Sequence, residues 1–361
     1  MLAQEEAFAR IRLLRSPNIG PVSYRQLLRR FGDAQTALAA LPDLAGKGGA
    51  YRVADEGRVA KEVAAVRAAG ARYLFHDSPE YPALLGELDS APPILTARGD
   101  AALALRPSVA IVGARNASAA AVKLARQFAG ELAEAGFVVV SGLARGIDGA
   151  AHRAALAGGT IGVIASGIDI AYPPEHADLQ EEVATKGLLL AEQPPGTEPL
   201  ARHFPSRNRI IAGLCAGTLI VEAAPKSGSL ITARLAGEAG REVMAVPGSP
   251  LDPRAQGCNQ LIRDGAVLVQ SAADVIELVT GFTGSPRSTF REVAASYSAL
   301  PDELGDEPAD VEGLLTTAPV PVDELIRQSG ESAAAVQLAL LELELAGKLV
   351  RHAAGRVSLA G

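Results

Sequence analysis

The chain has 361 residues, 48% of them hydrophobic and 21% charged; at roughly one domain per 150 residues this suggests two or three packed domains and excludes wholesale disorder. Lys and Arg total 34 against 41 Asp and Glu, a net charge of −7, so bulk charge does not advertise a nucleic-acid binder and any anion site must be local. Two cysteines, Cys215 and Cys258, exclude a disulfide framework or a Cys/His metal site and fit a reducing cytoplasm. The start, Met1 to Glu6, carries no basic and then apolar leader, and no stretch approaches ~18 uninterrupted apolar residues, so neither export nor membrane insertion is expected.

Residues 5–41 have a helical rhythm, with Ile11 and Leu14 before a Ser16-Pro17-Asn18-Ile19-Gly20-Pro21 break and Leu27, Leu28 and Phe31 after it. Such a hairpin can offer backbone amides to a phosphate, or serve packing alone. Short helix continues over 42–68. From residue 72 the rhythm changes. Apolar, β-branched runs at 72–75, 109–112, 137–140, 160–164, 188–190, 218–221 and 242–246 alternate with helical stretches. Strands that are hydrophobic throughout are buried on both faces, which predicts an α/β fold, a mostly parallel sheet with helices on both faces. Ligands of such sheets sit at the carboxyl ends of the strands.

Residues 282–307 are rich in Pro, Ser, Gly and acid and read as a linker. Three helical stretches, 311–317, 322–328 and 332–346, and a terminal hairpin then predict a winged helix. Helix 332–346, the one expected to enter a groove, holds no Lys or Arg but does hold Glu342 and Glu344. A duplex reader needs cations there, so this wing is predicted to contact protein. The predicted domains are 1–68, 69–281 and 308–361.

Three strand ends are candidate anion sites. The first runs Ile111-Val112-Gly113-Ala114-Arg115-Asn116-Ala117-Ser118, where Asn116 or Ser118 caps a helix and Arg115 stands over its positive end. The second, Ser141-Gly142-Leu143-Ala144-Arg145-Gly146-Ile147-Asp148, repeats a small-residue turn with an arginine. The third, Lys226-Ser227-Gly228-Ser229, sets hydroxyls and a glycine before a helix. A single such turn reads more readily as capping and packing; three together, with arginines, favour an anion site. Neither G-x-G-x-x-G nor G-x-x-x-x-G-K-[ST] occurs in this region, so no nucleotide cofactor is expected.

Arg202-His203-Phe204-Pro205-Ser206-Arg207-Asn208-Arg209 is the most informative stretch. It gathers three arginines, an imidazole and one of only 14 aromatics directly ahead of an apolar helix. Guanidinium forks suit phosphate and Phe204 suits a base; Arg207 or Arg209 paired with a buried acid such as Glu222 is the alternative. Ser141, Asp148 and His152 invite a hydrolase reading, but no G-x-S-x-G elbow surrounds the serine. Cys215 and Cys258 read as core thiols.

Taken in order, the motifs at 111–115, 141–148, 204–213 and 227–233, with Ala245-Val246-Pro247-Gly248, closely resemble the DNA-processing protein A (DprA/Smf) family over roughly residues 70–280. The resemblance implies an extended Rossmann-like fold, an N-terminal helical domain of the SAM-like or helix–hairpin–helix kind, and a C-terminal winged helix. It further implies single-stranded DNA binding, homodimers, loading of the RecA recombinase during natural transformation, and no established catalysis. Carried over, Arg115, Ser141, Gly142, Arg202, Phe204, Arg207 and Asn208 line the strand pocket; Gly113, Asn116, Arg145, His203, Arg209, Ser227, Gly228 and Ser229 complete the candidate set. Where lysine is frequent in the family, after its Tyr-Pro pair and before its Phe-Pro pair, this chain has Pro174-Glu175 and Ala201-Arg202-His203. The rival reading is a Rossmann-like enzyme acting on a nucleotide, a phosphoribohydrolase, whose P-G-G-x-G-T signature is missing.

Overall fold

The computed structural model describes residues 2–44, 51–281, 308–352 and 355–360. The stretch read as a linker, 282–307, lies outside the described residues. The chain divides into two units, Met1–Lys61 with Glu292–Gly361, and Glu62–Arg291. Four helices come first: α1 (Gln4–Arg15), α2 (Pro21–Phe31), α3 (Ala34–Leu44) and α4 (Glu56–Ala68). Then follow β1 (Arg72–Phe75), α5 (Ala83–Gly86), β2 (Ile94–Gly99), β3 (Ser108–Val112), α6 (Ala119–Glu134), β4 (Val138–Ser141), α7 (Ile147–Ala155) and β5 (Thr160–Gly167). The larger unit continues with α8 (Ala177–Lys186), β6 (Leu188–Gln193), α9 (His203–Leu214), β7 (Gly217–Ile220), α10 (Gly228–Glu238), β8 (Glu242–Ala245), α11 (Gln256–Arg263), β9 (Val267–Leu268) and α12 (Ala272–Thr280). The C-terminal part is β10 (Val320–Pro321), α13 (Val322–Ser329), α14 (Ala333–Leu345), β11 (Leu349–His352) and β12 (Arg356–Leu359).

The larger unit is built on one nine-stranded sheet, ordered β1-β2-β6-β5-β4-β3-β7-β8-β9. From β6 to β9 every pairing is parallel, and β1 and β2 are antiparallel additions at one edge. Alternate residues of one strand enter different cores. Ala110 and Val112 join Val140 and Val163 on one face, while Val109 and Ile111 join Val139 and Leu219 on the other. This is why the strands read as unbroken apolar runs rather than an alternation. Helix α6 covers the second core through Ala125, Phe128 and Leu132, and α9 covers the first through Ile210, Ile211 and Leu214. The chain steps from β3 through β4 and β5 to β6, then returns to lay β7 on the other side of β3. That reversal opens a crevice at the strands' carboxyl ends.

The smaller unit holds α1–α3 and the winged helix. Its three-stranded sheet is ordered β10-β12-β11, with α13 and α14 beside it. The first predicted helix of this part, 311–317, is only a 3-10 turn at Glu312–Leu314. Thr316, Thr317 and Pro319 follow at once, and their stiffness or missing N–H disfavours a helix.

Candidate nucleic-acid interface

Two turns and a helix start meet at the carboxyl edge of the large sheet. After β3, Gly113 has no room for a side chain: a Cβ there would lie 2.6 Å from Ile147 Cγ1 and 3.0 Å from the Glu222 carbonyl oxygen. The chain then presents Arg115 and Asn116 to solvent. Ser118 caps α6, its Oγ accepting from the Ala121 amide at 3.1 Å. Glu222, two residues beyond β7, accepts from the Ser118 amide at 3.0 Å and from its hydroxyl at 2.7 Å. This carboxylate therefore staples the turns after β3 and β7 together and pairs with neither Arg207 nor Arg209.

The turn after β4 packs onto the turn after β3. A Cβ at Gly146, whose φ is +72°, would fall 2.2 Å from the Ala114 carbonyl oxygen, and the Ile147 amide donates to that oxygen at 3.3 Å. Leu143 also sits at positive φ, +57°, fully buried, and its carbonyl bonds His176 Nδ1 at 2.9 Å. A non-glycine residue in that region is a strained position held by its surroundings.

Phe204 is the centre of the arrangement. It lies in the first turn of α9, where Pro205 is tolerated because its missing N–H would have no helical partner. The Arg115 guanidinium carbon stands 5.1 Å from the ring centroid and that of Arg207 stands 5.9 Å away. Tyr172, 41% exposed, meets the same ring with centroids 5.9 Å apart and planes tilted by 58°. The sequence reading missed Tyr172; its signal was being one of 14 aromatics, beside a proline in the loop after β5.

Arg207 is the buried member, only 6% exposed, and its Nη1 donates to the Val163 carbonyl at 2.9 Å. A Cβ at Gly142 would sit 1.7 Å from that Nη1, so the glycine is the hole into which the guanidinium fits. Burial lowers the Arg207 pKa to about 10, Asp148 works to raise it and Arg115 works to lower it, so the side chain stays charged at neutral pH. Asp148 is buried as well; burial raises its pKa while Arg207 lowers it. Its Oδ2 accepts from the amides of Gly142 at 3.1 Å and Ala144 at 3.4 Å. The carboxylate thus holds the turn that shapes the Arg207 slot.

Other candidates are placed differently. Arg209 forms an ion pair with Glu192 and donates to the Ser90 carbonyl, so its guanidinium is spent inside the protein, with an acid other than the Glu222 considered from sequence. Ser141 is fully buried and its hydroxyl donates to the Ile111 carbonyl at 2.6 Å, which leaves it a packing residue at the strand end. His203 is buried, its Nδ1 accepting from the Leu200 amide at 3.3 Å. Arg145 is exposed and ion-paired with Glu175, whereas Arg202 is exposed at the start of α9. Asn208 Nδ2 donates to the Gly228 carbonyl at 3.4 Å, tying α9 to the start of α10. There Ser227 accepts from the Ser229 amide at 3.4 Å and the two hydroxyls pair at 2.8 Å. Arg115, Gly142, Phe204 and Arg207 are thus the predicted residues that the fold brings into one cluster.

The hydrolase constellation does not form. Ser141 and Asp148 are bonded as just described, and His152 Nδ1 pairs with Thr160 Oγ1 at 2.8 Å while that hydroxyl donates to the Val139 carbonyl at 2.8 Å. Burial pushes the imidazole pKa down to about 3, keeping it neutral. Both cysteines are buried thiols whose pKa values burial raises, to about 12 for Cys215 and about 11 for Cys258. Among the described residues no cluster of His, Cys, Asp or Glu could hold a metal ion, and no helix is long and apolar enough to cross a membrane.

Comparison with known proteins fits this geometry. Residues 72–280 match the family described as DNA recombination-mediator protein A, residues 4–65 the DprA-like N-terminal HHH domain, and residues 295–355 the DprA winged helix domain. The chain is 48% identical over 198 residues to the DNA processing protein DprA of Streptococcus pneumoniae, which covers 54% of this chain and 70% of that protein. The X-ray structure of DNA processing protein A from the same organism superposes with a TM-score of 0.67 at 36% identity, covering 77% of this chain and 98% of that one. A structure of DNA processing protein A from Helicobacter pylori, described for its single-stranded DNA binding mode, gives a TM-score of 0.53 at 30% identity over 59% of this chain and 97% of that one.

Proposed function

The chain belongs to the DNA recombination-mediator protein A family, and we propose that it binds single-stranded DNA at the carboxyl edge of its large sheet, with the Phe204 ring as the base platform. The observation that carries this reading is the exposed Arg115 guanidinium 5.1 Å from that ring, a cation and a stacking surface at one point. A nucleotide offers a π-face and a phosphate at similar spacing, so aromatic and arginine together bind it without reading its sequence. Arg207 fixes the platform from below and adds positive potential. Arg115, Arg202 and, after displacing Glu175, Arg145 supply the exposed phosphate contacts; Asn116, Asn208 and the turn Ser227–Ser229 extend the rim. Arg209, Ser141 and His203 are supporting residues in this account.

The protein acts as a mediator rather than an enzyme: it holds incoming strands in the cytoplasm as a homodimer and passes them to the RecA recombinase. The buried, internally bonded state of Ser141, Asp148 and His152 supports the absence of a hydrolytic step. Titration of the full chain with single- and double-stranded oligonucleotides of equal length at two salt concentrations tests the proposal. Preference for the single strand, weakening as salt rises, is the expected result; equal affinity for both, or no binding, would contradict it.

A further inference from the structure

Two features of the smaller unit remain outside this account: the Gly/Pro hairpin between α1 and α2, and the cation-free helix α14. They meet each other. Gln337, Leu341 and Leu345 recur at four-residue spacing and so share one face of α14. Leu341 and Leu345 are buried in the same core as Leu13, Tyr24 and Leu27 of α1 and α2. An adjacent face of α14, about 100° around the helix and carrying Val336 and Leu340, belongs to the winged helix's own core. The same face carries a buried amide pair, Gln26 Nε2 donating to Gln337 Oε1 at 3.0 Å. At the end of the helix, Asn18, held at a φ of +59° in the hairpin, donates through Nδ2 to the Leu345 carbonyl at 3.0 Å. That carbonyl is one of the four that a helix leaves without an internal partner, so the hairpin caps α14.

The hairpin is correspondingly closed to other ligands. Its Gly20 amide donates to Ser23 Oγ at 2.9 Å, and Glu344 Oε1 lies 3.4 Å from where a Cβ on Gly20 would project. That carboxylate is held by Arg351, whose Nε donates to Glu344 Oε2 at 2.8 Å, so the winged helix occupies the hairpin's Gly20 side.

We propose that α1 and α2 form a helix-receiving groove whose occupant is α14 of the same chain, so that the winged helix is a protein-docking module and its would-be reading helix is withheld from duplex DNA. Recognition follows the helix-in-groove mode, with leucines as anchors and the Gln26–Gln337 pair setting the register. A buried polar pair suits that role, since a slipped helix would lose the Gln26–Gln337 hydrogen bond.

The test uses the full chain carrying Gln26→Cys and Gln337→Cys. Mild oxidation is expected to link the two cysteines within one molecule, leaving duplex affinity within twofold of the reduced form. A link between two molecules would overturn the choice of occupant, and a tenfold or greater loss of duplex binding on closure would overturn the claim that α14 is withheld. Leu341→Ser with Leu345→Ser, which spares Val336 and Leu340, gives an independent reading by hydrogen exchange. Amides of α2 are expected to exchange at least tenfold faster while those of β3 to β7 are unchanged; unchanged exchange in α2 would sink the proposal. The crosslink and the exchange readout involve neither Phe204 nor the arginines around it, so failure of the strand-binding account leaves those two standing, and the reverse.

Discussion

The guanidinium of Arg115 lies 5.1 Å from the centroid of the Phe204 ring, joining the turn after β3 to the first turn of α9. If the pair is the strand-binding platform, the two residues fail in different ways when removed. Arg115→Ala loses a phosphate contact, so affinity should fall about equally for all base sequences and the log–log salt slope should shrink by about 0.7. Anisotropy titrations of homopolymer and mixed oligonucleotides at several salt concentrations measure both. An unchanged slope would remove Arg115 from the interface.

Phe204→Ala removes stacking rather than charge. A base stacked on an aromatic ring contributes about 1–3 kcal/mol, so affinity should drop roughly 5- to 150-fold with the salt slope unaltered. The same titration reads this, and a loss below twofold would show that the ring only supports the arginines.

Arg207 and Arg209 offer an internal contrast. Arg209→Ala breaks the ion pair with Glu192, which is partly buried, so the variant should melt earlier yet bind strands nearly as tightly as the parent at a temperature where both are folded. Arg207 is best reached through its slot: Gly142→Ala drives a methyl group to within 1.7 Å of Nη1 unless the guanidinium moves. Overpacking of this kind costs typically about 1–3 kcal/mol, and affinity should fall with it. Thermal melts paired with strand titrations separate the two variants; Arg209→Ala costing more affinity than Gly142→Ala would reverse the assignment.

His152 predicts an acid limit to stability. Its pKa drops from 6.5 to about 3 on folding, so the unfolded chain takes up a proton that the folded chain refuses. The contribution is complete above pH 6.5 and is lost as pH falls toward 3, by at most about 1.4 kcal/mol per pH unit. Denaturant midpoints between pH 7 and pH 5 should fall for the parent and flatten for His152→Gln; identical slopes would show that other groups carry the acid loss.

The sheet was readable because its strands are apolar throughout, a pattern that only burial on both faces produces. Strand β2, Ile94–Gly99, was not anticipated, as Thr96 and Arg98 break its apolar run, and β9 is two residues long. The arginine-rich stretch was found but its parts could not be sorted. Read as lying ahead of a helix, it in fact begins α9 at His203, and at 100° per residue Arg207 and Arg209 point about 200° apart. One faces Phe204 and the other Glu192, a division that depends on where the helix starts. Ser141 shows a related limit, because being last in a strand does not say whether a hydroxyl meets solvent or, as here, a neighbouring carbonyl.

Photocrosslinking bears most directly on the strand platform. A single-stranded oligonucleotide carrying 5-bromodeoxyuridine, irradiated with the full chain and mapped by mass spectrometry, should attach at Phe204 or Tyr172, and Arg115→Ala should weaken the adduct. Adducts confined to the smaller unit, with none between residues 108 and 281, would contradict the account.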